Sequence, residues 1–203
     1  MMLTSSVNHK DSYFEYPVLT KIRGETTYET IHHLKNELKA NASFVPTNLG
    51  GVNLGYFCMI LTHAEYHLIA PVDSFTRPQN PGVFVPNQAG MATQNSNRED
   101  THRLTKNIYL ETLLLKQNIV QKIIKSLDTR YLAALRNPVT RKITPLVPTI
   151  LDFLYGHYGR ITPQQLDNTT TTVKSMTYNP SQPIDLIFNF INDLVKYTRA
   201  AEA

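Results

Sequence analysis

The sequence predicts an all-α protein, and three observations carry that prediction. Helix start and stop signals recur: Thr62-His-Ala-Glu65 and Thr162-Pro-Gln-Gln165 each set a capping hydroxyl three residues before a carboxylate or amide, and Gly159 follows an apolar helical run. From about residue 100 to Leu135, apolar side chains return every three or four residues. No stretch of comparable length alternates apolar and polar residues as a half-buried strand does. The expected architecture is a predominantly helical bundle over 25–203 with an extended N-terminal arm at 1–24. A long Pro-rich loop falls at about 71–98 and a helical core at about 100–199.

Taken in order, the arm carries Tyr13, Phe14, Tyr16 and Pro17 as docking contacts and closes at Gly24. Thr26-Thr-Tyr-Glu29 reads as a capping box that starts a helix running to about Ala40, with Ile31, Leu34 and Leu38 on one face. Pro46 and Gly50-Gly51 end it. The apolar run Leu54 to Leu61 fits a short strand or a buried helical turn, and its length does not decide between them. Thr62 then caps a short helix over 63–70. Prolines at 71, 78, 81 and 86, with Gly82 and Gly90, predict a loop from Pro71 to Asn97. Loops of that length are uncommon unless they move or bind something.

Asp100 or Thr101 is expected to cap the long helix, and Asn137-Pro138 to stop it. Leu113, Val120, Ile124, Leu127, Tyr131 and Leu135 form one stripe; Leu114, Leu115, Ile119 and Ile123 widen it, so contact from two sides is expected. A helix over Val147 to Tyr158 presents Ile150, Leu151 and Leu154. Pro163 suits the first position of the next helix, which threonines 169–172 weaken. Ser181-Gln-Pro183 opens a last helix with Ile184, Ile187, Phe188, Ile191, Leu194 and Val195 in register.

The 203 residues hold one domain or two small ones. A single cysteine, Cys58, excludes an internal disulfide, and no Cys/His cluster suits a structural zinc. Residues 1–10 lack the apolar core of a signal peptide, and the longest apolar stretch is too short to cross a bilayer. A cytoplasmic protein without a membrane span is expected.

His63 and His67 stand four apart, but Glu65 is misplaced for a zinc-protease pattern. Gly50 to Gly55 has the length of a phosphate loop yet leads into Tyr56-Phe57 instead of Lys-Ser/Thr, so tight turns explain the glycines better. Cys58, inside an apolar run, reads as core filler. The carboxylates are scattered. No catalytic, cofactor-binding or metal-ligating residues are expected, and no enzyme.

Charge is uneven. Residues 1–101 carry seven Lys/Arg against nine Asp/Glu, and residues 102–203 carry thirteen against seven. The excess concentrates in Lys116, Lys122, Lys125, Arg130, Arg136, Arg141 and Lys142, the candidate nucleic-acid contacts. The same side chains equally fit the solvated outer face of a long helix.

Several segments together resemble the Gag-like capsid region of Copia-type LTR retrotransposons. They are Leu19-Thr-Lys-Ile-Arg-Gly-Glu-Thr-Thr-Tyr-Glu-Thr-Ile31, Leu38-Lys-Ala-Asn-Ala-Ser43, Leu49-Gly-Gly-Val-Asn-Leu-Gly55 and Arg77-Pro-Gln-Asn-Pro-Gly82. The series continues with Tyr131-Leu-Ala-Ala-Leu135, Leu151-Asp-Phe-Leu-Tyr-Gly-His-Tyr-Gly159 and Pro183-Ile-Asp-Leu-Ile-Phe188. Tyr178 stands where such sequences carry Trp, the glycine segment is poorer in Gly and His, and no zinc knuckle is present in these residues. The resemblance implies a helical capsid-like bundle that self-associates into homo-oligomeric shells around element RNA. An RNA-binding helical module without shell assembly is the alternative.

Overall fold

The computed structural model describes residues 14–47, 49, 53–72, 75–177, 179–181 and 183–202. The fold is predominantly helical, as the sequence predicts. Tyr13, the Gly50-Gly51 turn and Tyr178 lie outside the described residues.

Helix α1 (Tyr28–Phe44) is followed by a 3-10 turn, Phe57–Met59, and the short α2 (His63–Ile69). The long α3 (Ala92–Ser126) leads into a 3-10 segment, Thr129–Leu135. Then come α4 (Val147–Tyr158), α5 (Pro163–Ser175) and α6 (Asp185–Glu202). Among the described residues the only β-pairing is an isolated antiparallel bridge between Arg136 and Ile143. The ambiguous run at 54–61 is a series of turns around the 3-10 turn Phe57–Met59.

The core forms where α1 and the C-terminal part of α3 pack around α4. Ile31, Leu34 and Leu38 of α1, Ile119 and Ile123 of α3, and Ile150, Leu151 and Leu154 of α4 are fully buried. Gly55 brings the chain back against the end of α1: Tyr56 N donates to Ala42 O at 2.8 Å. Its φ is +50°, and a Cβ there would lie 2.5 Å from the Ser43 and Val45 carbonyl oxygens. Only glycine fits.

The arm is stitched to this core by polar groups. Asn41, fully buried, accepts from Tyr16 N at 2.7 Å and donates to Tyr16 O at 2.8 Å. Glu37 accepts from Thr20 N at 2.9 Å and Thr20 Oγ1 at 2.5 Å. Ile22 N donates to Ser126 O at 2.8 Å, and Tyr131 Oη donates to Gly24 O at 3.2 Å. Phe14 is buried beneath the Lys122 ammonium.

Helix α1 runs past its expected end at about Ala40 to Phe44, and three further boundaries differ from expectation. The cap of α1 is Thr27, which exchanges bonds with Thr30, because Thr26 is turned inward and its N–H donates to Tyr131 Oη. Helix α3 starts at Ala92, not near Asp100 or Thr101, which shortens the Pro-rich loop. Its early turns are braced where Asn95 and Asn87 bond reciprocally, each at 2.9 Å. Finally, α3 stops at Ser126, and Leu127 is extended so that the arm can reach the last carbonyls. The buried face is accordingly Thr112, Leu115, Ile119, Val120, Ile123 and Ser126; of the expected stripe Val120, Leu127 and Tyr131 are buried, while Leu113 and Ile124 are only half-buried. Thr112 and Ser126 are accommodated because their hydroxyls bond carbonyls of their own helix at 2.9 Å.

Helices α5 and α6 form a hairpin that packs on itself, and its principal link to the body is Tyr197. Tyr197 is 5% exposed, edge-on to Tyr28, and donates to Glu29 Oε1 at 2.7 Å. Burial works to raise the Glu29 carboxyl, but bonds from Tyr197, its own backbone and Thr27 hold it below the usual value. Burial and the facing Glu29 push the Tyr197 phenol up to about 12. A depressed carboxylate contributes stability that is present above its unfolded value and lost as pH falls through the folded one. Acid is therefore expected to loosen the hairpin in the range at and below the ordinary Glu value near 4.5, and Glu29→Gln to remove that acid step. Amide exchange of α5 and α6 followed from pH 6 to 3 checks this.

Candidate nucleic-acid interface

Four cations of the basic half rim one groove. Between Arg136 and Ile143 the chain reverses within a tight loop: Asn137 N donates to Lys142 O, and Arg141 N to Asn137 O, both at 2.9 Å. Asn137 Oδ1 accepts from Val139 N and Thr140 N, each at 2.9 Å, so the side chain replaces the partners a helix would supply. Pro138 ends helical continuation and fits such a turn. Arg141 closes the loop with φ of 59°, the left-handed region that only glycine enters without cost.

That loop faces α3 across a cavity of about 540 Å³. Lys116, Arg136, Arg141 and Lys142 rim it, and Leu113, Val120, Ile124 and Ile143 form part of its floor. Lys116 donates to Thr144 O at 2.9 Å, and Arg136 Nη1 to Arg141 O at 3.2 Å, which fixes both cations toward the groove. Burial, and then the charge of Arg77, lower the Lys116 ammonium from its usual value. An anion in the groove would relieve both effects.

Of the seven candidate contacts, four share this groove. The other three do not. Lys122 donates to Pro17 O and covers the Phe14 ring at 4.8 Å, so it serves the arm. Arg130 lies 4.7 Å over the Tyr131 ring, bonds its hydroxyl at 2.9 Å, and stands 3.8 Å from Asp128. Lys125 is exposed and outside the groove lining. Gln117 and Gln121, also lining it, were not singled out, although they stand four apart and so share one face of α3. Arg77, which bonds Cys58 O at 3.1 Å, was also missed; nothing in the sequence brings that loop residue to Lys116.

Among the described residues the lining includes no aromatic ring. Base stacking, the sequence-tolerant half of most single-strand recognition, has no platform there. What the groove offers is phosphate charge and hydrogen-bond donors. Replacing Arg141 by Gly should relieve the left-handed backbone and raise stability by about 0.5–1 kcal/mol. A urea midpoint that stays put or falls would show that the loop is unstrained.

The chemistry elsewhere is sparse. His63 and His67 stack with centroids 6.4 Å apart. Cys58 is buried, and burial pushes its thiol up to about 12, so it packs as a small apolar group. Among the described residues, no group of three His, Cys, Asp or Glu could hold a metal ion, and no helix is long and apolar enough to cross a membrane. Compared with known proteins, the chain matches no family model, no curated protein and no solved structure.

Proposed function

We propose that the protein is a non-catalytic, self-associating capsid-like protein of the Copia Gag type, working in the cytoplasm and enclosing RNA that its basic groove contacts. The observation that carries this reading is the uncovered apolar face formed by Ile184, immediately before α6, and Phe188, Ile191 and Val195 within it, which stand 42–55% exposed. Leu104 and Ile108 add a second uncovered patch on α3, in line with the face that becomes core from Thr112 onward. Exposed apolar patches on otherwise polar helices mark contact surfaces. Two such patches at different places on one chain suit contacts that propagate between copies. The resemblance of the quoted segments to Copia-type Gag regions points the same way.

The alternative, an RNA-binding module that does not assemble, draws on the groove alone. Light scattering separates the two. With single-stranded RNA present and absent, the mass of the full chain is expected to rise with concentration and to rise further with RNA. A strict monomer at about 100 µM, where contacts stronger than roughly 5.5 kcal/mol are half-formed, would leave only the module.

A further inference from the structure

We propose that α6 pairs with α6 of a second copy in an antiparallel, two-fold arrangement, and that this is the first contact of self-association. The inference rests on the self-association proposed above and names the surface and its geometry.

Ile184, Phe188, Ile191 and Val195 recur at intervals of four, three and four residues, the spacing of a coiled-coil seam. Within α6, Ile187 and Leu194 are half-buried and Tyr197 is buried, so the helix spends a different face on its own chain, with Phe190 on that face 47% exposed. The seam is left over and carries no charge. In an antiparallel pair its residues meet in matched layers, Ile184 against Val195 of the other copy and Phe188 against Ile191, with each layer repeated by symmetry. A two-fold contact demands this self-complementarity, and a chance apolar patch need not have it.

Charge favours the same direction. Asp185 and Arg199 lie two heptads apart on one flank of the seam, at the two ends of the helix. Antiparallel pairing brings the acidic first turn of one copy toward the basic last turn of the other, and it opposes the helix dipoles. Parallel pairing would put Asp185 level with Asp185 and Arg199 level with Arg199, on opposite sides of the seam, and would lose this attraction. A membrane surface is a poorer occupant, because interfacial helices are rich in Lys/Arg on their polar face. Here 185–202 hold two basic and three acidic residues.

The test uses the full chain. Two variants, Ile184→Cys and Val195→Cys, are given different tags, mixed and mildly oxidised; the native Cys58 is buried. The mixed 184–195 cross-link is expected to dominate. Links of 184 to 184 and of 195 to 195 would mean a parallel pair and overturn the proposal. Phe188→Asp, at an exposed position, should keep the helical circular dichroism and weaken self-association at least about 30-fold, as loss of a central aromatic contact does. Asp185→Arg and Arg199→Asp should each weaken it, and the double exchange should restore most of the loss. If the chain associates but Phe188→Asp leaves the association constant unchanged, this pairing is wrong and the capsid-like reading stands on another surface. If the chain stays monomeric, both fall.

Discussion

Asn41→Ala is expected to cost about 2–4 kcal/mol, the sum of a buried amide lost and two backbone groups left unpaired. Asn41 is fully buried within α1, and its side chain forms both halves of a peptide-like pair with Tyr16. The arm held by this pair also covers the apolar surface around Phe14 and Leu19. A domain of this size has about 5–15 kcal/mol of stability in total, so the variant should lose a large share of it. Urea unfolding gives the number. A second readout tests the mechanism: amide exchange at Tyr16 and Thr20 should rise well beyond the global change, since the arm is released first. Loss below about 1 kcal/mol, the size of an ordinary solvated hydrogen bond, would mean that the arm is held by its apolar contacts instead.

That clamp also shows where sequence reading reached and where it stopped. Local chemistry was legible. Thr62 with Glu65, Thr162 with Gln165, Pro163 at a helix start and Gly159 at a helix end all act within four residues of chain, and the structure places each as expected. The α1 cap was read one residue early because Thr26 and Thr27 are the same residue type, and the choice is made by Tyr131, more than a hundred residues away. The start of α3 was missed for a different reason. Residues 92–99 are polar and almost wholly exposed, so no apolar periodicity announces them as a helix. Asn41 and Glu37 were unremarkable polar positions on a helix until the arm was laid across them.

The basic groove sits between those extremes. Its charge was visible as a segment, but its shape was not. Asn137-Pro138 was read as a stop signal, which it is; the turn-back that aims Arg141 and Lys142 at Lys116 depends on the Asn137 side chain and the Arg136–Ile143 bridge. A list of cations along a helix also cannot separate those facing a groove from those, like Lys122 and Arg130, that brace the fold.

Removing three groove charges together, Arg136→Gln, Arg141→Gly and Lys142→Gln, is expected to weaken binding to single-stranded RNA about 100-fold at 0.1 M salt. The figure follows from counterion release: each lost phosphate contact lowers the slope of log affinity against log salt by about 0.7 for single strands, so three contacts remove about two units of slope. Both quantities are measured in one titration series, and they must agree. A fall in affinity without a fall in slope would point to misfolding, which the Arg141→Gly substitution works against by relaxing the loop backbone. The control is Lys125→Gln, an exposed lysine outside the groove. If the groove is the site, that single change should shift the affinity by less than about 5-fold, the most that one phosphate contact is worth at this salt. Equal loss per charge at Lys125 and in the groove would show that RNA meets a diffuse basic surface. The cavity between α3 and the 136–143 loop would then be only a feature of the packing.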